Sequence, residues 1–239
     1  MSLKFKRVLL KISGEALGCD DDIIDPKKIT DVARQVIELA KSGLEIGIVI
    51  GGGNIWRGTY AENDYIDKIT ADQMGIFATI MNCLAFEGVL KKLGYKNVKV
   101  YSSLKVETIT NSYNYNYARE KLSEGYIVLF GGGTGYSYFT TDTAAALRAI
   151  EIDANALLMA KNGTKGVYDK DPNLFKDAKM YNKLKYGDLV SKNLQVMDQT
   201  AATLAKDANL EIYVFDINEK DNIIKMANGK LEYTLISNK

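Results

Sequence analysis

Two glycine-rich stretches and one lysine hold the residues of this chain best suited to chemistry. The first stretch, residues 128–151, reads VLFGGGTGYSYFTTDTAAALRAIE. An apolar run ends at Phe130. Gly131–Gly133 and Gly135 then remove side chains from the backbone, Thr140, Thr141 and Asp142 supply helix-start chemistry, and residues 143–150 are rich in helix formers. Strand, glycine loop and helix N-terminus, in that order, build an anion site: bare N–H groups point at phosphate oxygens and the helix dipole favours negative charge. A flexible turn between two ordinary elements is the alternative. The second stretch runs from EIGIVI (45–50) into Gly51-Gly52-Gly53-Asn54-Ile55-Trp56-Arg57-Gly58. There Arg57 either clamps a phosphate bidentately or is a surface charge. Lys11 closes the run FKRVLLKI (5–12) and is followed at once by Ser13-Gly14-Glu15. A lysine in that place belongs at the ligand-bearing C-terminal edge of an open sheet, or is salt-bridged to a carboxylate. Gly14 lets a second backbone come close.

These residues need a scaffold, and the rest of the chain reads as one. Apolar runs at 5–12, 45–50, 97–101, 126–130, 154–160, 211–215 and 231–237 predict strands. Between them lie helices. Asp25-Pro26 opens one that Ser42-Gly43 closes. Residues 69–93 form a long one, apolar nearly all round, which places it in the core or in a subunit contact. Further helices are expected at 113–123, 143–150, 198–208 with Asp198 as N-cap, and 222–227. Asp72, near the start of the long helix, either complements the dipole or accepts hydrogen bonds from sugar hydroxyls. The segment KNGTKGVYDKDP (161–172) reads as a turn-rich loop or plain hairpin, with Asn162, Tyr168 and Asp171 available for base stacking and hydrogen bonding. Alternating strands and helices predict an α/β fold with a mostly parallel sheet covered on both faces. With only two prolines and no low-complexity linker, residues 1–239 read as a single domain. A soft division falls near Ile152, between a part that carries the glycine loops (1–152) and a part that carries the KNGTKG loop (153–239).

The composition narrows the chemistry. A net charge of +1 gives no global field to draw in nucleic acid or an anionic membrane. Cys19 and Cys83 are far apart in sequence and in no metal-ligand spacing, which fits a reducing cytoplasm. The basic start is broken by Lys11 and is neither signal peptide nor membrane span, and no other run approaches transmembrane length. There is no histidine. His-based triads, zinc sites and acid–base chemistry are therefore excluded. Phosphoryl transfer, done by positioning and electrostatics, fits a chain so restricted. The spacing also rejects familiar nucleotide loops. No glycine run is followed by the Lys-Ser/Thr of a Walker loop, and Tyr136 and Trp56 stand where a dinucleotide fingerprint needs its third glycine.

In order along the chain, KISGE (11–15), IGGGN (50–54), TADQMG (70–75), GTG with FTTD (133–142), GVYDKDP (166–172) and VMDQTA (196–201) resemble the amino-acid kinase family, and within it the nucleoside-monophosphate kinases acting on uridylate. The resemblance implies a three-layer α/β/α sandwich, transfer from Mg-ATP to UMP in pyrimidine nucleotide synthesis, and a cytoplasmic homohexamer built from dimers. It brings in UTP as a candidate inhibitor and GTP as a candidate activator, and leaves both responses open. Magnesium would be held mainly by the nucleotide phosphates. The donor side would use Lys11, Ile12, Ser13, Gly14, Gly53, Arg57, Asn162, Tyr168 and Asp171. The acceptor side would use Gly52, Arg57, Asp72 and the segment Thr134, Gly135, Tyr136, Ser137, Tyr138, Phe139, Thr140 and Thr141. Lys11, Arg57, Asp142 and Asp198 would act in catalysis, Lys11 on the transferring group and the two aspartates as orienters of lysine or magnesium. The chain departs from the family at Tyr136-Ser137, where relatives carry Asn-Pro, and at Thr164-Lys165, where they carry Val-Asp. The nearest rival reading is a kinase of the same superfamily with an amino-acid or carbamate acceptor. A non-enzymatic anion sensor and a nucleic-acid-binding regulator are the others.

Overall fold

The computed structural model describes residues 3–56, 66–192, 194 and 196–239. Eleven strands and seven α-helices follow one another as β1 (Arg7–Ile12), α1 (Pro26–Lys41), β2 (Glu45–Ile50), α2 (Lys68–Lys92), β3 (Val98–Ser102), β4 (Asn111–Ser112), α3 (Tyr115–Ser123), β5 (Ile127–Gly131), α4 (Thr141–Glu151), β6 (Ala156–Lys161), β7 (Val167–Tyr168), β8 (Met180–Tyr181), β9 (Lys183–Lys185), α5 (Tyr186–Ser191), α6 (Gln199–Asp207), β10 (Glu211–Asp216), α7 (Asn222–Ala227) and β11 (Thr234–Ser237). A short 3₁₀ turn, Gly14–Leu17, follows β1.

Nine strands make one sheet in the order β4-β3-β5-β2-β1-β6-β10-β11-β9. Every described pair in it is parallel except β10 with β11. β1 lies inside the sheet, between β2 and β6, which is why its residues 8–12 are all buried. β7 and β8 pair apart from the sheet as an antiparallel hairpin.

The strand alternation divides the core into two layers. Val8, Leu10 and Ile12 face α1, α2 and α7, packing with Val36, Phe86 and Ile223. Leu9, Leu157 and Met159 face the other way, with Ala145 of α4, Ala205 of α6 and Leu122 of α3. The parity places Lys11 and Lys161 on the second face, beyond Leu9 and Met159. Helices on both faces give the three-layer α/β/α sandwich. α2 is the exception to a one-sided apolar stripe. It is long and apolar enough to cross a membrane by length and composition, against the sequence reading that no such run exists. Ala71, Cys83, Phe86 and Leu90 are nonetheless buried in the protein.

Helix starts follow the capping chemistry in the sequence. Asp25 accepts from Lys27 N at 2.7 Å ahead of Pro26. Asp67 accepts from Thr70 N at 3.0 Å. Thr140 caps α4 by accepting from Asp142 N and Thr143 N, and Asp198 caps α6 through Ala201 N. Each such cap is worth about 1 kcal/mol, and the last two fix helix ends at the site.

Candidate active site

In a parallel sheet the strands' C-terminal ends collect the loops that can bind a ligand. Here β1, β2, β5 and β6 end side by side in Ser13-Gly14, Gly51–Asn54, Gly131–Gly135 and Lys161-Asn162. The first two loops touch backbone to backbone. A Cβ on Gly14 would lie 2.3 Å from Asn54 Oδ1 and 2.6 Å from Gly51 O, so no other residue fits. Asn82, fully buried on α2, locks this contact. Its Nδ2 donates to Gly51 O and to Asn54 Oδ1, both at 2.7 Å, and its Oδ1 accepts from Asn54 Nδ2 at 3.0 Å. The β5 loop is held from two sides. Thr79 Oγ1 accepts from Gly132 N at 2.9 Å. Arg148, 4% exposed, donates to Gly133 O at 3.2 Å and to Ser103 Oγ at 2.8 Å, with its guanidinium 3.8 Å over the Tyr113 ring. Gly132 sits at φ +81°, a conformation that favours glycine.

Lys11 is 7% exposed and its Nζ lies 2.9 Å from Asp142 Oδ1. The salt-bridged reading of Lys11 holds, and the residue stands at the C-terminal end of β1, the position its other reading requires. Asp142 occupies the first turn of α4, where the dipole favours a carboxylate. Asp198 ties α6 to α4. Its carboxylate accepts from Thr143 Oγ1 at 2.9 and 3.0 Å and from Thr140 Oγ1. Lys161, at the end of β6, donates to Val196 O at 2.6 Å. Burial pushes its ammonium below the usual lysine value; the Asp142 carboxylate opposes that shift and Lys11 adds to it. Among the described residues Ser13 Oγ is buried and has no hydrogen-bond partner.

Four hollows surround this centre. One of about 230 Å³ is lined by Gly52, Gly53, Trp56, Asp72, Thr79, Gly133, Thr134 and Phe139–Thr141, and so collects most of the predicted acceptor residues. The others of that set lie on the rim. Ser137 Oγ reaches Ile69 O at 3.3 Å, and Tyr136 and Tyr138 are both 71% exposed. Tyr138 takes φ +68° and donates its N–H to Asp72 Oδ2 at 2.8 Å. Asp72 also meets Lys68 Nζ at 2.5 Å, so its carboxylate already holds the loop in place. Gly135 shapes the turn, donating N–H to Gly132 O. A second hollow, about 330 Å³, joins Gly53 and Asn162 with Glu15 and Asn54. A third, about 510 Å³, contains Tyr168, Asp171 and Lys161. The largest, about 700 Å³, is lined by Asp142, Asp198, Lys161, Tyr186 and Met197 among others. Of the predicted donor residues, Gly53 and Asn162 line the second hollow and Tyr168 and Asp171 the third, Lys161 is common to the third and fourth, and Lys11, Ile12, Ser13 and Gly14 line none of the four. Arg57 lies outside the described residues.

Sequence reasoning missed Lys161, Thr79, Asn82, Thr143 and Arg148. Lys161 carried the same signal as Lys11, a lysine at the end of an apolar run. Asn82 and Thr79 were legible as polar residues in a helix apolar nearly all round.

A parallel α/β/α sandwich with paired glycine loops and a lysine–aspartate pair at the strand ends defines a phosphate-handling transferase rather than a hydrolase with a nucleophilic triad. The chain belongs to the amino acid kinase family, whose sequence profile matches residues 6–216. It is 58% identical to the uridylate kinase of Mycoplasma capricolum subsp. capricolum, over 99% of this chain and 100% of that protein. Among solved structures it is similar to the UMP kinase of Bacillus anthracis (TM-score 0.94, 41% identity, covering 98% of this chain and 97% of that one). It is likewise similar to the UMP kinase of Ureaplasma parvum (TM-score 0.93, 38% identity, 98% and 100%).

Proposed function

We propose that this chain transfers the terminal phosphoryl group of ATP to UMP, giving ADP and UDP, in pyrimidine nucleotide synthesis. The observation that carries the reading is the Lys11–Asp142 pair. It stands at the strand ends that carry the glycine loops; the hollow with most of the acceptor set adjoins those loops, and the hollow that Asp142 lines shares Lys161 with the one holding Tyr168 and Asp171. A UMP phosphate oxygen is already an anionic nucleophile at neutral pH, so no general base is required. Lys11 offsets the charge on the transferring group, and the N–H groups of the Gly51–Gly53 and Gly131–Gly135 loops stand ready for phosphate oxygens. Asp142 fixes the Lys11 ammonium. Asp72 and the segment 134–141 hold the acceptor nucleoside, and Tyr168, Asp171 and Asn162 the donor. Arg57 is assigned to the phosphates by its place in the GGGNIWRG motif.

Magnesium suits these residues. Among the described residues no group of three or more Asp, Glu, Cys or His could cage a metal, but the carboxylates of Asp142 and Asp198 line one cavity. Magnesium is commonly held by one or two carboxylates plus substrate phosphates. Bound there it would neutralise phosphate charge.

Self-association is part of the proposal. Met74, Phe77 and Met81 are exposed by 37, 54 and 55% and, three and four residues apart, share one face of α2. That face supports the expected homohexamer. Cys19 and Cys83 are free thiols, which supports a cytoplasmic location. A coupled ADP-release assay across UMP, CMP, glutamate and carbamate tests the reaction. UMP is expected to be the preferred acceptor; a preferred amino acid or carbamate would replace the reading by its superfamily rival.

A further inference from the structure

We propose that Lys161 is a second phosphate-binding cation of this enzyme, one that holds the β- and γ-phosphates of the donor nucleotide. The inference rests on the reading of the chain as an ATP-dependent phosphotransferase and adds a catalytic residue to it.

Register places Lys161 beside Lys11. β1 and β6 pair in parallel with Lys11 opposite Met159. Lys161 is two residues further along β6, so its side chain leaves the sheet on the same face as Lys11 and Met159. That face carries the N-terminus of α4 and, with it, Asp142. Asp142 and Lys161 line one cavity. Lys161 also lines the neighbouring hollow that contains Tyr168 and Asp171. It therefore stands between the reacting end of the site, marked by Lys11 and Asp142, and the end assigned to the donor nucleoside. A triphosphate reaching from one to the other must pass it. Asn162, just past the end of β6, lines a different hollow with Glu15 and Gly53.

The ammonium is also incompletely used. It has three donors, and among the described residues it donates to the Val196 carbonyl. Burial disfavours its charge most, Lys11 disfavours it further, and the Asp142 carboxylate opposes them only in part. Asp142 is ion-paired to Lys11 and Asp198 is taken up by the Thr140 and Thr143 hydroxyls and the α6 cap, so the Lys161 ammonium has donors left that a polyphosphate would complete. During transfer an acceptor phosphate oxygen bonds to the γ-phosphorus while the bond from that phosphorus to the β–γ bridging oxygen breaks. The electron pair and negative charge go to the β-phosphate of ADP, where the Lys161 ammonium offsets them without giving up a proton.

The test is calorimetric titration of the full-length protein with Mg-ATP, ADP and AMP, with no acceptor present, and separately with UMP. Lys161→Gln is expected to weaken ATP and ADP by about 10- to 100-fold, with AMP and UMP within about twofold of the parent and Lys161→Arg recovering part of the loss. Equal weakening of AMP and ATP would reduce Lys161 to a prop for the Val196 segment and overturn the proposal, as would unchanged ATP affinity. The UMP titration reports folding in the same sample. If Lys161→Gln does not fold, Lys161→Met repeats the comparison with the chain length kept. A different preferred acceptor in turnover would overturn the UMP reading but leave this donor comparison standing.

Discussion

The ammonium of Lys11 and the carboxylate of Asp142 stand 2.9 Å apart although one comes from the central strand and the other from a helix start 131 positions later in the chain. The strand offers the lysine through parity: Leu9 and Lys11 share a face, and that face is covered by α4. Lys11→Ala is expected to lower kcat by at least about 10²–10³, the usual loss for one preorganised charge at a transferring group. UMP affinity should stay nearly intact. Steady-state kinetics with a UMP titration checks this, and turnover near the parent's would take Lys11 out of the mechanism.

Asp72 accepts the Tyr138 N–H at 2.8 Å. A ribose contact would share or displace that bond. Since such a contact is made in ground and transition states alike, Asp72→Asn should raise the KM for UMP about tenfold and change kcat little. An unchanged KM would leave Asp72 as a support for the 134–141 loop.

Much of this was legible in the sequence, for definable reasons. Long apolar runs bounded by glycine gave the seven main strands in order, and caps such as Asp25-Pro26 and Asp198 gave the helix starts. The placing of Lys11 at the C-terminal edge of the sheet followed from its position at the end of a buried strand. Short pieces escaped because two or three residues show no period: β4 and β9 exist through pairing with β3 and β11. β11 begins at Thr234 rather than 231 and runs antiparallel to β10, a sense no local pattern encodes. Lys161 was read as the first residue of a loop because the apolar run stops at Ala160. The Asp198–Thr143 contact joins residues 55 positions apart and has no sequence signature. The role of Tyr136, in place of the family's Asn, stays outside the fold's demands, since its side chain is 71% exposed.

Asp198 gives a stability prediction distinct from catalysis. One carboxylate caps α6 and receives the Thr140 and Thr143 hydroxyls of α4. Asp198→Ala removes the cap and leaves two hydroxyls without their acceptor. A loss of about 1–3 kcal/mol is expected. Thr143→Val, of similar shape, should cost only about 1 kcal/mol because the cap survives. Urea unfolding of the two variants measures the difference, and equal losses would show that the link between the helices, rather than the cap, dominates.

Alkaline pH should unfold the protein by a route set by its buried acids. Burial pushes the Cys83 thiol up to about 12, with Glu87 adding to it. Burial also raises Tyr113, Tyr186 and Tyr213, helped at Tyr113 by Glu151 and at Tyr186 and Tyr213 by Glu211. A raised folded value means that the folded protein keeps a proton the unfolded chain releases. The stabilisation is complete below the unfolded values of 9.0 for cysteine and 10.0 for tyrosine. It is lost as pH rises from there toward the folded values. Lys161 acts the other way, since its lowered value relieves a buried charge as pH approaches 10.5, but it is one group against these four and Tyr95 and Tyr101, which burial also raises. Stability from urea unfolding should therefore begin to fall near pH 9, where Cys83 alone contributes about 1 kcal/mol per pH unit, and fall more steeply above pH 10 as the tyrosines join. Cys83→Ala should flatten the first segment and leave the second, so an unchanged slope between pH 9 and 10 in that variant would remove Cys83 as its source.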